Sequence, residues 1–583
     1  MLIKTFLGPA LRTIYKRFFK ESGSAVEGFL DAVKSVPNKT ALIFTLTGEI
    51  WTYKKLNEDT NKLSNFLIEN NLVESKQVVS IFLPNSPEFI KSWLGLWKLG
   101  QTCSFINTNL KGNSLLHALK VSNSRYIVTD ENLLEEVLII KENLMDLKVV
   151  VLSTAVNGEE KFGLLSKDVL LFNENMSDAI IEPHNFRKNV LSTDVALLIF
   201  TSGTTGLPKP ATLTHEKFRI LSNVPRFFGL GKNDRIYTAL PLYHTAGATL
   251  GFGNSIYNCS TIIIAPKFSA SKFFYDCKRF DATAFQYIGE LARYLLTTPE
   301  STNDKNHSVR IAFGNGLRKD IWLNFKSRFN IMEIGEFYGS TEGNASMHNH
   351  QVGNDGIGAV GRAGPIASIV FCSVLIEYDQ ENDIHPRNAK GFCKQVPYGV
   401  EGELIGKIQT WHPTRNFAES RFRTGDLLRK ERDQRYYFVD RVGDTFRWKG
   451  ENVSTGEILG AISKFDIKIQ EAVVYGVEVP YMDGKAGAVA LKVDEDFKLN
   501  ELYGFFKSEG LPSYAIPIWI RILKKVELTG TFKPIKHQLQ VEGIDLKNFD
   551  KDDKIFWVKP GSNEYVEFTK SDYQDIIEKK VRL

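Results

Sequence analysis

The sequence predicts an α/β protein: a large N-terminal domain of several subdomains, followed by a small α+β C-terminal domain. Two observations carry this expectation. Through residues 25–440, short apolar runs bounded by turn residues alternate with stretches of helical period. The pattern then restarts after Gly443, and residues 445–583 suffice for a second domain. The expected division is a 1–24 amphipathic segment, a 25–440 domain and a 441–583 domain.

The elements follow in order. Leu2/Ile3, Phe6/Leu7, Ala10/Leu11, Ile14/Tyr15 and Phe18/Phe19 recur at helical spacing and make a broad apolar stripe. Trp51-Thr52-Tyr53 introduces a helical pattern from Leu56 to Leu67. The run Val78–Leu83, stopped by Pro84-Asn85-Ser86, reads as a buried strand entering a loop. Phe89–Leu99 is helical again, and residues 148–152 and 195–200 are further apolar strands. An aromatic strand, Tyr436–Val439, ends the first domain at a junction near Asp440–Asp444. The tail reads as a strand at Ile555–Val558, a Pro560-Gly561 turn and a helix from Ser571 to Lys580.

Composition narrows the function classes. Hydrophobic residues make up 43% and charged residues 24%, which excludes collagenous, disordered and coiled-coil chains. The 73 basic residues exceed the 68 acidic ones by five. Lys4, Arg12, Lys16, Arg17 and Lys20 account for that excess, because residues 1–20 hold no acid. A surface so nearly neutral gives no nucleic-acid partner. The concentrated cations instead suit a helix lying in an anionic membrane interface. A helix docked on the protein's own core and a mitochondrial presequence are the other readings of residues 1–20. No apolar run is long enough to span a bilayer. The five cysteines form no C-x-x-C pair, which points to a reducing compartment. His348 and His350 flank Asn349 without clustered Cys or carboxylates, a weak metal signal.

The strongest chemical signal is Thr201-Ser202-Gly203-Thr204-Thr205-Gly206-Leu207-Pro208-Lys209, which follows an apolar strand. Its hydroxyls and backbone N–H groups are donors for phosphate oxygens, its glycines allow close approach, and Lys209 adds a cation. A polar surface loop would explain the composition, though not its place at a strand end. It is not a Walker A loop, since Pro208 and Pro210 flank the lysine where Gly and Ser/Thr are required.

This run resembles the phosphate loop of the acyl-adenylate-forming (AMP-binding) superfamily. Within it the very-long-chain acyl-CoA synthetase/fatty acid transport protein family is the nearest likeness. The supporting stretches are PLYHTAG (241–247), FSASKFFYDC (268–277), QYIGELARYLL (286–296), GNGLRKDIW (314–322), EFYGSTEGN (336–344), TGD (424–426), DRVGDTFRWKGENVST (440–455) and TGTFK (529–533). The resemblance implies an adenylation domain over 25–440 and a mobile C-terminal domain. It implies an acid–thiol ligase that uses ATP, Mg²⁺ and CoA to activate a fatty acid through an acyl-adenylate.

Residue by residue, it assigns Thr201–Gly206 and Lys209 to the phosphates, Glu342 to Mg²⁺ and Thr341 to the α-phosphate. Tyr338, Gly339 and Ser340 complete that nucleotide stretch. Gly314-Asn315-Gly316 becomes the adenine-side turn, and Asp426 with Arg441 the ribose contacts. A carboxylate suits paired hydroxyls, since it can accept from both. Lys533 becomes the lysine that reaches the α-phosphate during adenylation, although Phe532 stands where Gly is usual and Lys536 lies close by. Lys449 and Gly450 fall on the CoA side, where a merely solvated lysine is an equal reading. Gly443 occupies the hinge place usually held by Asp or Lys, and Pro210 replaces the usual Gly or Ala.

Tyr243 and His244 sit where amino-acid-activating relatives carry an Asp, which favours a fatty acid. Tyr287, Ile288 and Leu291 are candidates for the acyl pocket, and their spacing equally fits a core helix. Membrane uptake of fatty acid is the alternative function, and esterification would trap an imported acid. The expected location is intracellular, cytosol-facing and on an endomembrane, namely endosome, endoplasmic reticulum or peroxisome, with mitochondria as the alternative. The ending Val581-Arg582-Leu583 only faintly resembles a peroxisomal signal.

Overall fold

Two largely parallel sheets carry the N-terminal part of the chain. The computed structural model describes residues 23–583 except 75, 154–167, 174–180, 202–208, 341–342, 344, 365–373, 380–383, 408–420, 443–445, 450, 466–467, 483, 495–496, 527–535, 551 and 582. The acid-free residues 1–20 therefore lie outside the described residues.

The first sheet has seven strands, in the order Val169–Phe172, Lys148–Leu152, Tyr126–Asp130, Val78–Phe82, Thr102–Phe105, Val195–Thr201 and Lys209–Thr214. All neighbours are parallel except the last pair. The second has eight strands, with Arg235–Thr238, Thr261–Ile264, Ala284–Ile288, Ile311–Asn315 and Glu333–Tyr338 among its parallel members. Parallel strands covered on both faces read as continuous apolar runs, the pattern that Val78–Phe82 and Val195–Thr201 show.

The helices start where capping chemistry puts them. Ser86 accepts from the Phe89 amide ahead of Pro87–Lys98, with Pro87 at the first helical position. Thr52 and Thr214 do the same for Tyr53–Glu69 and His215–Asn223. Helix Pro87–Lys98 is buried almost all round, and Trp93 and Trp97 lie edge-on to Phe218. Ser24 and Ala25, just ahead of helix Val26–Ser35, are buried.

A third, antiparallel sheet follows, with Ala359–Arg362, Arg435–Arg441, Arg421–Lys430, Glu401–Lys407 and Val374–Ile376 in that order. Beyond Arg441 the hairpin Phe446–Trp448/Glu451–Val453 leads into a five-stranded mixed sheet with its own core, which runs from Phe446 to Ile576. Val581 and Leu583 pack partly buried against that core. Hydrogen bonds dock this lobe on the larger part, two of them as follows. Ser463 donates to Asp320 at 2.5 Å, and Arg293 donates to the Gln470 carbonyl. Among the described residues, no helix is long and apolar enough to cross a membrane.

Candidate active site

The candidate residues arrive from three sheets. In open α/β sheets, ligands bind beyond the carboxyl ends of the parallel strands. Thr201 ends Val195–Thr201, Asn315 ends Ile311–Asn315, and Tyr338 ends Glu333–Tyr338. Asn85 fastens these edges together. It follows strand Val78–Phe82, donates to the Leu240 and Ala265 carbonyls at 2.9 and 3.2 Å, and accepts from the Leu242 amide at 2.7 Å. One buried amide thus joins the carboxyl edge of the seven-stranded sheet to that of the eight-stranded sheet.

Thr201 and Lys209 are cross-strand partners, so the loop 202–208 connects the two strands of a hairpin. Ser202, Gly203, Thr204, Thr205 and Gly206 lie outside the described residues, as do Thr341, Glu342, Gly450 and Lys533. Lys209 is exposed at the start of its strand. Pro210 pairs with Phe200 on the sheet's edge strand, a place where a missing N–H is tolerated.

The ribose candidates do come together. Asp426 and Arg441 face each other across the antiparallel sheet, with an ion pair of 3.3 Å. The Tyr338 hydroxyl donates to Asp426 Oδ2 at 2.5 Å, which ties the eight-stranded sheet to the antiparallel one. Burial, then the Asp426 charge, pushes the Tyr338 phenol far up, so it stays a donor. Gly425 has φ +70°, which lets the chain turn just before Asp426, and its amide donates to the fully buried Glu403 at 3.2 Å. Gly339 and Ser340 follow directly after Tyr338.

The Gly314-Asn315-Gly316 turn rests on a residue that sequence reasoning missed. Glu336 is fully buried. Its Oε1 accepts from the Gly316 amide at 2.5 Å and the Leu317 amide at 3.2 Å, and its Oε2 accepts from the Tyr287 hydroxyl. Tyr287, Gly314 and Glu336 stand in one row across three strands. A Cβ on Gly314 would lie 2.0 Å from the Tyr287 carbonyl oxygen and 2.9 Å from its ring, so only glycine lets the row close. Burial pushes the Glu336 carboxyl up to about 8, against the pull of its three donors. The sequence signal was a carboxylate flanked by Gly335 and Phe337 at the start of the EFYGSTEGN stretch.

The acyl candidates are buried, but not on one helix. Tyr287 and Ile288 end strand Ala284–Ile288, and Leu291 belongs to the helix Gly289–Thr297 that follows. The single helical period read across them is thus a strand-to-helix junction. Tyr243 is buried and His244 half-buried, with ring centroids 4.7 Å apart. They precede a buried π-helix, Ala246–Gly253, a wide turn that recurs at functional sites.

Lys449 is exposed at the tip of its hairpin with φ +53° and lies over the Trp448 ring. At the junction, Asp440 accepts from Ser454 at 2.8 Å and from the Thr455 amide at 3.0 Å, so it caps helix Thr455–Phe465 of the smaller lobe. Among the described residues, no three His, Cys, Asp or Glu side chains form a metal-binding group.

Comparison with known proteins agrees with this architecture. The family model for AMP-binding enzymes matches residues 29–393. The long-chain fatty acid transport protein 6 of Mus musculus is 37% identical over 96% of this chain and 91% of its own length. The long-chain fatty acid transport protein 2 of Rattus norvegicus is 36% identical over 95% of this chain and 91% of its own. A crystal structure of an anthranilate CoA ligase in complex with anthranoyl-AMP superposes with a TM-score of 0.73 at 21% identity. That likeness covers 89% of this chain and 96% of the ligase, and it concerns the fold. The chain belongs to the AMP-binding enzyme family, in the branch of the long-chain fatty acid transport proteins.

Proposed function

We propose that the protein is an ATP-dependent fatty acyl-CoA synthetase, acting on long- or very-long-chain acids. The observation that carries this reading is the meeting of Tyr338, Asp426 and Arg441, which joins the carboxyl end of strand Glu333–Tyr338 to the antiparallel sheet. The relatives' names supply the acyl class, since they are fatty acid transport proteins.

In the first step a carboxylate oxygen of the acid attacks the α-phosphorus of ATP. The bond to the β-phosphate bridging oxygen breaks, and pyrophosphate leaves. Both partners are anionic, so their approach must be screened. The hydroxyls and amides of Thr201–Gly206 with Lys209 cradle the phosphates, and Thr341 stands by the α-phosphate. Glu342 is the residue that would hold Mg²⁺, which when bound would supply charge neutralisation at the phosphates. Asp426 and Arg441 hold the ribose, and Gly314-Asn315-Gly316 lies on the purine. Lys533 reaches the reacting phosphate from the smaller lobe.

In the second step the CoA sulfur attacks the acyl carbonyl, the carbon–oxygen bond to AMP breaks, and AMP leaves. Lys449 and Gly450 meet the CoA after the lobe turns about Gly443. Tyr243, His244, Tyr287, Ile288 and Leu291 line or back the acyl pocket. Residues 1–20 would hold the enzyme on an anionic endomembrane facing the cytosol, and mitochondria are the alternative location.

The test uses purified protein with ATP, Mg²⁺, CoA and acids of graded chain length, with AMP and thioester both measured. Equal yields of the two support the reading, and AMP without thioester points to another acceptor. Fatty acid uptake is the second reading, favoured by the relatives' names. Lys533→Ala separates the two, since uptake that survives loss of synthetase activity would favour transport by another means.

A further inference from the structure

Asp426 stands on a bulge of the antiparallel sheet. Glu403 pairs with Leu427 and Ile405 with Arg423, so Leu404 faces three residues, Thr424, Gly425 and Asp426. A strand with surplus residues bows out of the ladder, and such bulges re-aim side chains beside active sites. Toward the other neighbouring strand the register is kept, with Asp426 opposite Arg441. Gly425 turns the chain within the bulge at φ +70°, and the Val442 amide donates to its carbonyl at 2.7 Å.

Glu403 grips this bulge at two places. Its Oε1 accepts from the Gly425 amide at 3.2 Å. Arg423, at the start of the bulge, donates from Nε to Oε1 and Oε2 at 3.1 and 3.2 Å and from Nη2 to Oε2 at 3.0 Å. His385 Nε2 lies 2.6 Å from Oε2, which ties in the segment ahead of the strand. The Glu403 side chain is fully buried, and the guanidinium fork gives its charge a partner. One side chain therefore holds the side chain of Arg423 and the backbone of the residue just before Asp426. The Asp426 carboxylate itself meets the Tyr338 hydroxyl and Arg441.

Two vicinal hydroxyls can be read together only by a carboxylate held in one orientation, since hydrogen bonds weaken steeply with misalignment. We infer that Glu403 is a positioning residue for the nucleotide sugar: by holding Arg423 and the Gly425 amide at once, it fixes the bulge that presents Asp426 to the ribose hydroxyls. The inference rests on the reading of Asp426 as the ribose contact.

ATP, 2′-deoxy-ATP and 3′-deoxy-ATP are the probes, each given to the full chain with a fatty acid, CoA and Mg²⁺. Formation of the nucleoside monophosphate yields kcat and KM. The wild type is expected to favour ATP over each deoxy analogue by about tenfold or more, the worth of a hydrogen bond to a charged group. Glu403→Leu removes the acceptor while filling similar space. Its ATP KM should rise at least about tenfold, and its preference for ATP over the analogues should shrink to within about twofold. Glu403→Gln keeps a carbonyl oxygen for the Gly425 amide, so its preference should stay within about threefold of the wild type. A merely structural role lowers all three nucleotides together and leaves the preference unmoved; that result, in a Glu403→Leu protein with a native circular dichroism spectrum, overturns the inference.

Glu403→Asp covers the case in which Glu403→Leu does not fold. It keeps the charge and withdraws the oxygens by one methylene, so the preference should again shrink, and an unmoved preference overturns the inference. A wild type indifferent to the ribose hydroxyls also overturns it, while leaving the ligase reading intact. A wild type that releases no AMP from ATP overturns the ligase reading and this inference with it.

Discussion

Acidification should loosen the start of the first described helix through a single histidine. The Ala25 amide donates to His215 Nδ1 at 3.0 Å, just ahead of Val26–Ser35, so that nitrogen must be unprotonated. The ring is buried, and Trp97 lies edge-on to it at 5.6 Å. Burial, then the Arg219 charge, depresses the imidazole from 6.5 to about 3. Above 6.5 both folded and unfolded states are neutral and the contribution is whole. As pH falls from there toward 3, only the unfolded state takes the proton, and stability drains away. At pH 5 the lag is about 1.5 units, or about 2 kcal/mol at roughly 1.4 kcal/mol per unit. Exchange of the Ala25 amide, corrected for its intrinsic pH dependence, reads the bond directly. Between pH 7 and 5 its protection should drop by about 30-fold in the wild type. In His215→Asn the side-chain oxygen can stand where Nδ1 stood and cannot be protonated. Lost packing against Trp97 lowers the variant's protection at every pH, so the pH slope carries the test. Parallel slopes in the two proteins would refute the reasoning.

Three further outcomes follow from the geometry. Gly314→Ala sets a methyl 2.0 Å from the Tyr287 carbonyl oxygen; strand separation should lower stability by about 1–3 kcal/mol by urea titration and abolish detectable AMP formation. Asp426→Asn keeps the shape but weakens the ion pair with Arg441; the ATP KM should rise about 10- to 100-fold with little change in the melting temperature, and an unaltered KM would remove Asp426 from the site. Asp440→Ala uncaps helix Thr455–Phe465; calorimetry should show the smaller lobe destabilised by about 1 kcal/mol, whereas Asp440→Asn should sit near the wild type.

The parallel strands were legible because burial on both faces writes them as unbroken apolar runs, as in Val78–Phe82 and Val195–Thr201. The same property misled the reading at Tyr287, Ile288 and Leu291. A doubly buried strand that runs directly into a helix has locally the composition of a core helix, and only the break at Gly289 separates them. The π-helix Ala246–Gly253 was not foreseen, since its small residues carry no amphipathic signal and its geometry is imposed by close packing. Gly253, for instance, has no room for a Cβ beside Ser222 and Phe218. The site's turns were legible as motifs, whereas their supports were not. Glu336 and Glu403 are acidic residue types in strands, and their partners lie far away in the chain, so nothing local pairs Glu336 with Gly316 or Glu403 with Gly425. Burial converts an ordinary surface residue type into the anchor of a backbone turn, and burial is a property of the assembled sheets.

The hairpin that carries residues 202–208 has its two ends locked as neighbours. Thr201 and Lys209 are directly opposed in the ladder, and Lys209 is the last residue before Pro210 takes its place on the rim. The mouth of this segment is therefore held at one interstrand spacing, about 5 Å, whatever its interior does. A chain with tethered ends has already surrendered most of its loop-closure freedom during folding. If the segment binds phosphates as proposed, most of that closure cost has been met before the ligand arrives.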